Sequence, residues 1–168
     1  SFFGFGSIEM SADIDLKAGE AVTVEIEFTN EGAILLAGLI VGGKAVVERD
    51  LVGEAAALAA ECDVAVVVVG TNDDWETEGR DRDLWELPGG QPALIRAVAA
   101  ANPRTVVVLN VGSPHSLDWL DEPAAVLSVG FGGQELGEAI VDMLVGDLEP
   151  GGRAPTTIGA HYEHFAAY

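Results

Sequence analysis

Trp75, Glu76, Thr77, Glu78, Gly79, Arg80, Asp81 and Arg82 follow one another without interruption, and these side-chain types together suit the handling of a sugar. An indole ring stacks on the C–H face of a pyranose, and carboxylates accept protons from its hydroxyl groups. A partly desolvated glutamate also holds a proton near neutral pH, which a general acid must do. The competing reading is a solvated loop. With 28 Asp and Glu among 168 residues, neighbouring acids are common in this chain and spacing alone does not single them out.

What precedes the stretch supports a site. An apolar run from Val64 to Val69 ends at Gly70. A buried strand that stops at glycine and opens into a polar loop is how α/β domains present ligands, at the carboxyl ends of their strands. The same grammar repeats downstream. Residues 50–61 are Ala-rich with helical spacing, placing Leu51, Ala55, Leu58 and Cys62 on one stripe. Pro88 to Ala101 reads as a second helix, ended by Asn102-Pro103 because the residue before proline resists helical geometry. Thr105 to Leu109 and Ala124 to Val129 read as further strands. Gly133 to Val145 reads as a third helix with Leu136, Ile140, Met143 and Leu144 inward and Gly146 as its stop. Gly152 to Thr157 reads as a last short strand. Strands without alternation imply cover on both faces. Alternating strands and helices imply an α/β fold with a mainly parallel sheet flanked by helices.

Residues 1–43 follow a different period. Ile8, Met10, Ile14 and Leu16 share one parity, and Val22, Val24, Ile26 and Phe28 form another such face, opposed by Thr23, Glu25, Glu27 and Thr29. Lys17-Ala18-Gly19-Glu20 between them reads as a hairpin turn, Asn30-Glu31-Gly32 as another, and Ala33 to Val41 as a third strand. The expected division is therefore a small antiparallel β segment over residues 1–43 and an α/β domain over 44–168. Three strands with one polar face need a second layer, so the first segment reads as part of a β domain.

The formal charge of −20, with Lys17 and Lys44 the only lysines, excludes nucleic acid and anionic membrane as expected partners, since both require clustered cations. Acids in excess throughout fit a solubilising surface, suited to a salty habitat or merely acidic. No apolar run reaches the roughly 18 residues of a membrane span. No signal peptide is recognisable, which favours a cytoplasmic location. Cys62 is the sole cysteine and is expected to be a small buried residue.

Other motifs fit their proposed chemistry poorly. Gly130-Phe131-Gly132-Gly133 has the place of a dinucleotide fingerprint, but Glu135 stands where its third glycine belongs and would repel a pyrophosphate. Ser113 and His115 lack the surroundings of a nucleophile elbow. His115, His161 and His164 lack companions at ligand spacing and are expected to be solvated. No cofactor and no metal are called for.

Three runs carry a resemblance: DVAVVVVGTNDDWETEGRDR, LPGGQPALIRAVAAANPRTVVVLNVGSP and GGQELGEAIVDMLVGDLEPGGRAP. Over residues 45–157 the chain resembles the C-terminal α/β sandwich domain of glycoside hydrolase family 3, the β-glucosidase family. Residues 1 to about 43, with SFFGFGS and LKAGEAVTVEIEF, resemble the end of the protective-antigen-like β domain that one branch of the family inserts into that sandwich. The resemblance implies hydrolysis of β-linked glycosides with retention, using an Asp nucleophile on a barrel domain and a Glu of the sandwich domain as acid/base. That Glu maps to Glu78, before Gly79, with Glu76 the runner-up. Trp75 would shield Glu78 from water. Trp75, Asp81 and Arg82 are the candidate substrate contacts, although for Asp81 and Arg82 pinning the loop by an ion pair is the favoured role.

Departures from the family pattern limit the expectation. The barrel and its nucleophile have no counterpart in these residues. A typical Pro-Gly-Arg-Gln is Pro88-Gly89-Gly90-Gln91, the aromatic residues before GGQE reduce to Phe131, and the last residues, IGAHYEHFAAY, drift. Two functions follow. One is a glycosidase acting on a β-glycoside or oligosaccharide, its nucleophile lent by a partner domain or by a local carboxylate such as Asp73, Asp74 or Asp118. The other is a non-catalytic domain that binds sugar or assembles, with unpaired strand edges favouring a homo-oligomer.

Overall fold

The computed structural model describes residues 10–29, 31, 38–44, 46, 48–79, 81–159 and 161–165. They fall into two units, one before Asp50 and one from Asp50 onward, so the compact α/β body begins six residues after the composition change at Gly43-Lys44.

Before Asp50 the expected turn is present. Glu20 N donates to Lys17 O at 3.1 Å and Gly19 takes φ 84°, a left-handed conformation that favours glycine. The residues flanking it, 10–16 and 21–29, belong to no strand and are exposed. Among the described residues of this unit the period-two faces over Val22 to Phe28 thus form no sheet, and isolated two-stranded pairings are marginal in water. The expected third strand over 33–41 lies largely outside the described residues.

The second unit is a three-stranded parallel sheet in the order β1 (Ala65–Gly70), β2 (Thr105–Asn110), β3 (Ala125–Ser128). Ala65 pairs with Thr105 and Gly70 with Asn110, while Val107 pairs with Val126. Three helices accompany it: α1 (Leu51–Ala60), α2 (Gln91–Ala101) and α3 (Leu136–Val145). Their ends are locally encoded. Asp50 accepts from Gly53 N at 2.9 Å to cap α1. Pro92 stands in the first turn of α2, and Asn102, extended before Pro103, closes it. Gly146 ends α3 at φ 88°.

The core lies on one face of the sheet. Ala65, Val67, Val69, Val107 and Leu109 pack with Ile95 and Val98 of α2, Ala59 of α1, and Leu87 and Trp119 from the loops. The face of α1 that joins it is Ala55 and Ala59, not the larger residues. Leu51 and Leu58 are exposed, and so is Cys62, which follows the helix's last turn and offers its carbonyl rather than its thiol to the interior. On β1 the opposite face leaves Val66 47% and Val68 67% exposed, whereas Val108 of the middle strand is fully buried. Residues 152–157 form no strand, consistent with Pro155, which has no amide to donate.

Two polar side chains hold this body together. Asn102, buried between α1 and α2, donates to Ala59 O and Cys62 O at 2.9 and 2.8 Å and accepts from Arg104 N at 2.8 Å. Gln91 holds the last residue of β1 from the side away from β2: its Oε1 accepts from Gly70 N at 2.7 Å and its Nε2 donates to Gly70 O at 2.9 Å. Asn102→Ala leaves two carbonyls at the end of α1 without that donor and should destabilise the domain by about 1–3 kcal/mol. The urea unfolding midpoint measures this, and an unchanged midpoint would show that the bridge contributes nothing.

Candidate functional site

The carboxyl ends of the three strands give rise to three loops that meet. After β1, Thr71 N bonds to Asn110 O at 3.0 Å, continuing the ladder by one residue. Asn72 then organises a tight turn. Its side-chain oxygen accepts from Asp74 N at 3.0 Å, and its carbonyl accepts from Trp75 N and Glu76 N at 3.0 and 2.9 Å. This turn points Glu76 back at the strand end, where Thr71 Oγ1 donates to Glu76 Oε1 at 2.6 Å.

Arg82 closes the loop from its far side. Nη1 donates to the same Glu76 Oε1 at 3.2 Å, Nε to Leu84 O at 2.8 Å, and Nη2 to Pro114 O in the loop after β2. Each side chain of the Glu76–Arg82 pair is 11% exposed. Ser116 N, donating to Trp85 O at 2.8 Å, ties the same two loops a second time. The third loop arrives through Phe131. A Cβ placed on Gly112 would lie 2.6 Å from the Phe131 ring and 2.8 Å from Glu76 Oε2, so glycine at 112 is what allows both to approach. The Phe131 side of this junction is 54% exposed.

The sequence candidates divide by environment. Glu78 is exposed within the segment that Glu76 and Arg82 bracket, Asp81 is exposed, and Trp75 is 37% exposed. Glu76 and Arg82 are engaged with the protein itself. Asp73 and Asp74 lie exposed in the Asn72 turn. Asp118 is committed elsewhere, 2.7 Å from Arg96, which also binds Glu122 at 2.9 Å. A shallow cleft of about 310 Å³ lies beside the turn, lined by Val68, Val69, Gly70, Thr71, Gln91 and Asn110. Among the described residues no three His, Cys, Asp or Glu are grouped to hold a metal.

Sequence reasoning missed Thr71, Gly112 and His115. The expectation that His115 is solvated is corrected: it is fully buried, with Nδ1 3.3 Å from Ser113 O and no hydrogen-bond partner for Nε2 among the described residues. His161 and His164 lie exposed, as expected.

Residues 6–168 match the model of the glycosyl hydrolase family 3 C-terminal domain. The chain belongs to that family. It is 39% identical over 158 residues to a β-glucosidase of Kluyveromyces marxianus, covering 90% of this chain and 19% of that protein. It is 39% identical over 161 residues to a β-glucosidase of Rhizobium radiobacter, covering 94% of this chain and 20% of that one. The crystal structure of the K. marxianus β-glucosidase in complex with glucose superposes on 62% of the chain with TM-score 0.59 and 45% identity, covering 13% of that structure. The family 3 domain thus spans about one fifth of the length of the relatives it matches. No helix among its described residues is long and apolar enough to cross a membrane.

Burial, first of all, lowers the His115 pKa from its usual 6.5, and the nearby Arg82 guanidinium adds to this, while the Ser113 carbonyl and Glu76 oppose it. The unfolded chain therefore takes up a proton at His115 before the native state does. Stability contributed by neutral His115 is complete above about pH 6.5 and declines as pH falls below it, by at most about 1.4 kcal/mol per pH unit. In His115→Phe that share of the slope should vanish from a series of urea unfolding curves between pH 7 and 5; an identical slope in both proteins contradicts it.

Proposed function

We propose that this family 3 domain supplies the general acid/base of a retaining β-glycosidase, and that Glu78 is the residue. The observation that carries the reading is the placement of Glu78: exposed on the rim of the sheet, in a segment whose two ends, Glu76 and Arg82, are anchored to neighbouring loops. Glu76 already accepts from Thr71 and Arg82 through one oxygen and faces Gly112 with the other, so it is the weaker candidate for exchanging a proton with substrate. The β-glucosidase names of the relatives support a β-glucoside as substrate.

Chemistry sets what else is needed. In the first step Glu78 gives its proton to the glycosidic oxygen while a second carboxylate attacks the anomeric carbon and the aglycone leaves. In the second, Glu78 takes a proton from water, which displaces the enzyme carboxylate with net retention. The two carboxyl groups must stand about 5 Å apart. That second carboxylate comes from a nucleophile-bearing partner domain or from another copy of the chain in a homo-oligomer. Trp75, three residues before Glu78 and 37% exposed, is the proposed group to stack on the sugar.

The test replaces the matching segment of the K. marxianus β-glucosidase by this chain. The chimera should hydrolyse 4-nitrophenyl β-glucoside. E78Q should lower kcat/KM by about 10²–10⁴, and by far less on 2,4-dinitrophenyl β-glucoside, whose leaving group needs no proton. A folded chimera without turnover, or an E78Q chimera as fast as its parent on both substrates, would remove Glu78 from the mechanism.

A further inference from the structure

We infer that Arg82 and Glu76 form a positioning pair that sets where Glu78 is presented; the inference rests on Glu78 being the acid/base. Glu76 and Arg82 stand two residues before and four residues after Glu78, and their contact at 3.2 Å closes the intervening segment at its base. The closure is referenced to the sheet on both sides. Through Thr71 Oγ1, Glu76 is fixed to the residue that extends β1. Through Pro114 O, Arg82 is fixed to the loop after β2, and through Leu84 O to the chain leaving the segment.

Charge alone does not satisfy this geometry. One guanidinium reaches three acceptors lying on three separate stretches of chain, and only a planar group with five donors in a fixed fork can do so. A lysine ammonium in its place could serve Glu76 and would leave two carbonyls unmet. The packing around the pair is equally particular. Gly112 has no room for a side chain because Glu76 Oε2 and the Phe131 ring occupy it, and the buried His115 ring lies near enough to feel both charges. Asp81, although adjacent to Arg82, is exposed. Between the anchors Glu78, Gly79 and Asp81 are exposed while the two ends are held.

The test compares the full chain with R82K, R82A and E76Q by site-resolved hydrogen exchange. Three amides report on the loops: Trp75 and Glu76, both bonded to Asn72 O, and Ser116, bonded to Trp85 O. In R82A and R82K these should exchange about tenfold faster or more, while amides of β2 and α2 and the unfolding midpoint hold. Millimolar guanidinium, but not the same concentration of sodium chloride, should restore slow exchange to R82A, which a general loss of stability would not allow. Slow exchange retained in R82K would show that charge suffices and overturn the fork. Should R82A fail to fold, E76Q carries the decision: it keeps the shape and removes the ion pair, and protection of the three amides equal to wild type overturns the inference. E78Q keeps all three amides protected, so an error in assigning the acid/base shows in turnover and an error in assigning the pair shows in exchange.

Discussion

A guanidinium group is charged at every pH a folded protein meets, and one placed on a side chain that is 11% exposed must find its acceptors within the protein. Around Arg82 this requirement organises the rim of the sheet. Leu84 O, Glu76 Oε1 and Pro114 O are its acceptors, and for them to converge the loop after β1 must fold back on itself and the loop after β2 must come to meet it. The turn at Asn72 and the bare Cα of Gly112 both serve that convergence. The acids of the same loop acquire different roles as a result. Glu76 is drawn inward as a structural counter-ion, and Glu78, two residues on, is left facing outward.

The parts of this arrangement that were legible in the sequence are those written in local patterns. The Val-rich runs of β1 and β2, the Asn102-Pro103 stop and the Gly146 terminus are all features of a few consecutive residues, and the elements begin and end within a residue or two of them. The rim loop was also legible, because acids, Trp75 and Arg82 after a strand form an unusual combination. Long-range partners were not. Arg82 meets Pro114 across 32 residues and Asn102 meets Ala59 across 43, and no periodicity announces either contact. His115 was misjudged too: it is fully buried, and the charges of Arg82 and Glu76, distant in sequence, act on it.

Side-chain size explains the other misreading. The stripe Leu51, Ala55, Leu58 and Cys62 was the expected inward face of α1, yet of these only Ala55 joins the core, beside Ala59. α1 packs chiefly against α2, which is itself rich in alanine, and small residues let two helices approach more closely than leucines would permit. Period-two patterning before Asp50 did not become strand among the described residues. It describes a face fit for burial, and a face becomes a strand only when another layer covers it.

Gln91 shapes the border of the sheet. Backbone groups alternate along a strand: Ala65 and Thr71 turn their amides toward the β2 side, so those of Val66, Val68 and Gly70 turn outward. At Gly70 the side-chain amide of Gln91 already occupies both groups, much as a neighbouring peptide would. Any polypeptide zippered along that border runs out of rungs after Val68, one step short of the loop that follows the strand. A glutamine thus acts as a doorstop, ending the pairing edge of the sheet where the shallow cleft beside Thr71 begins.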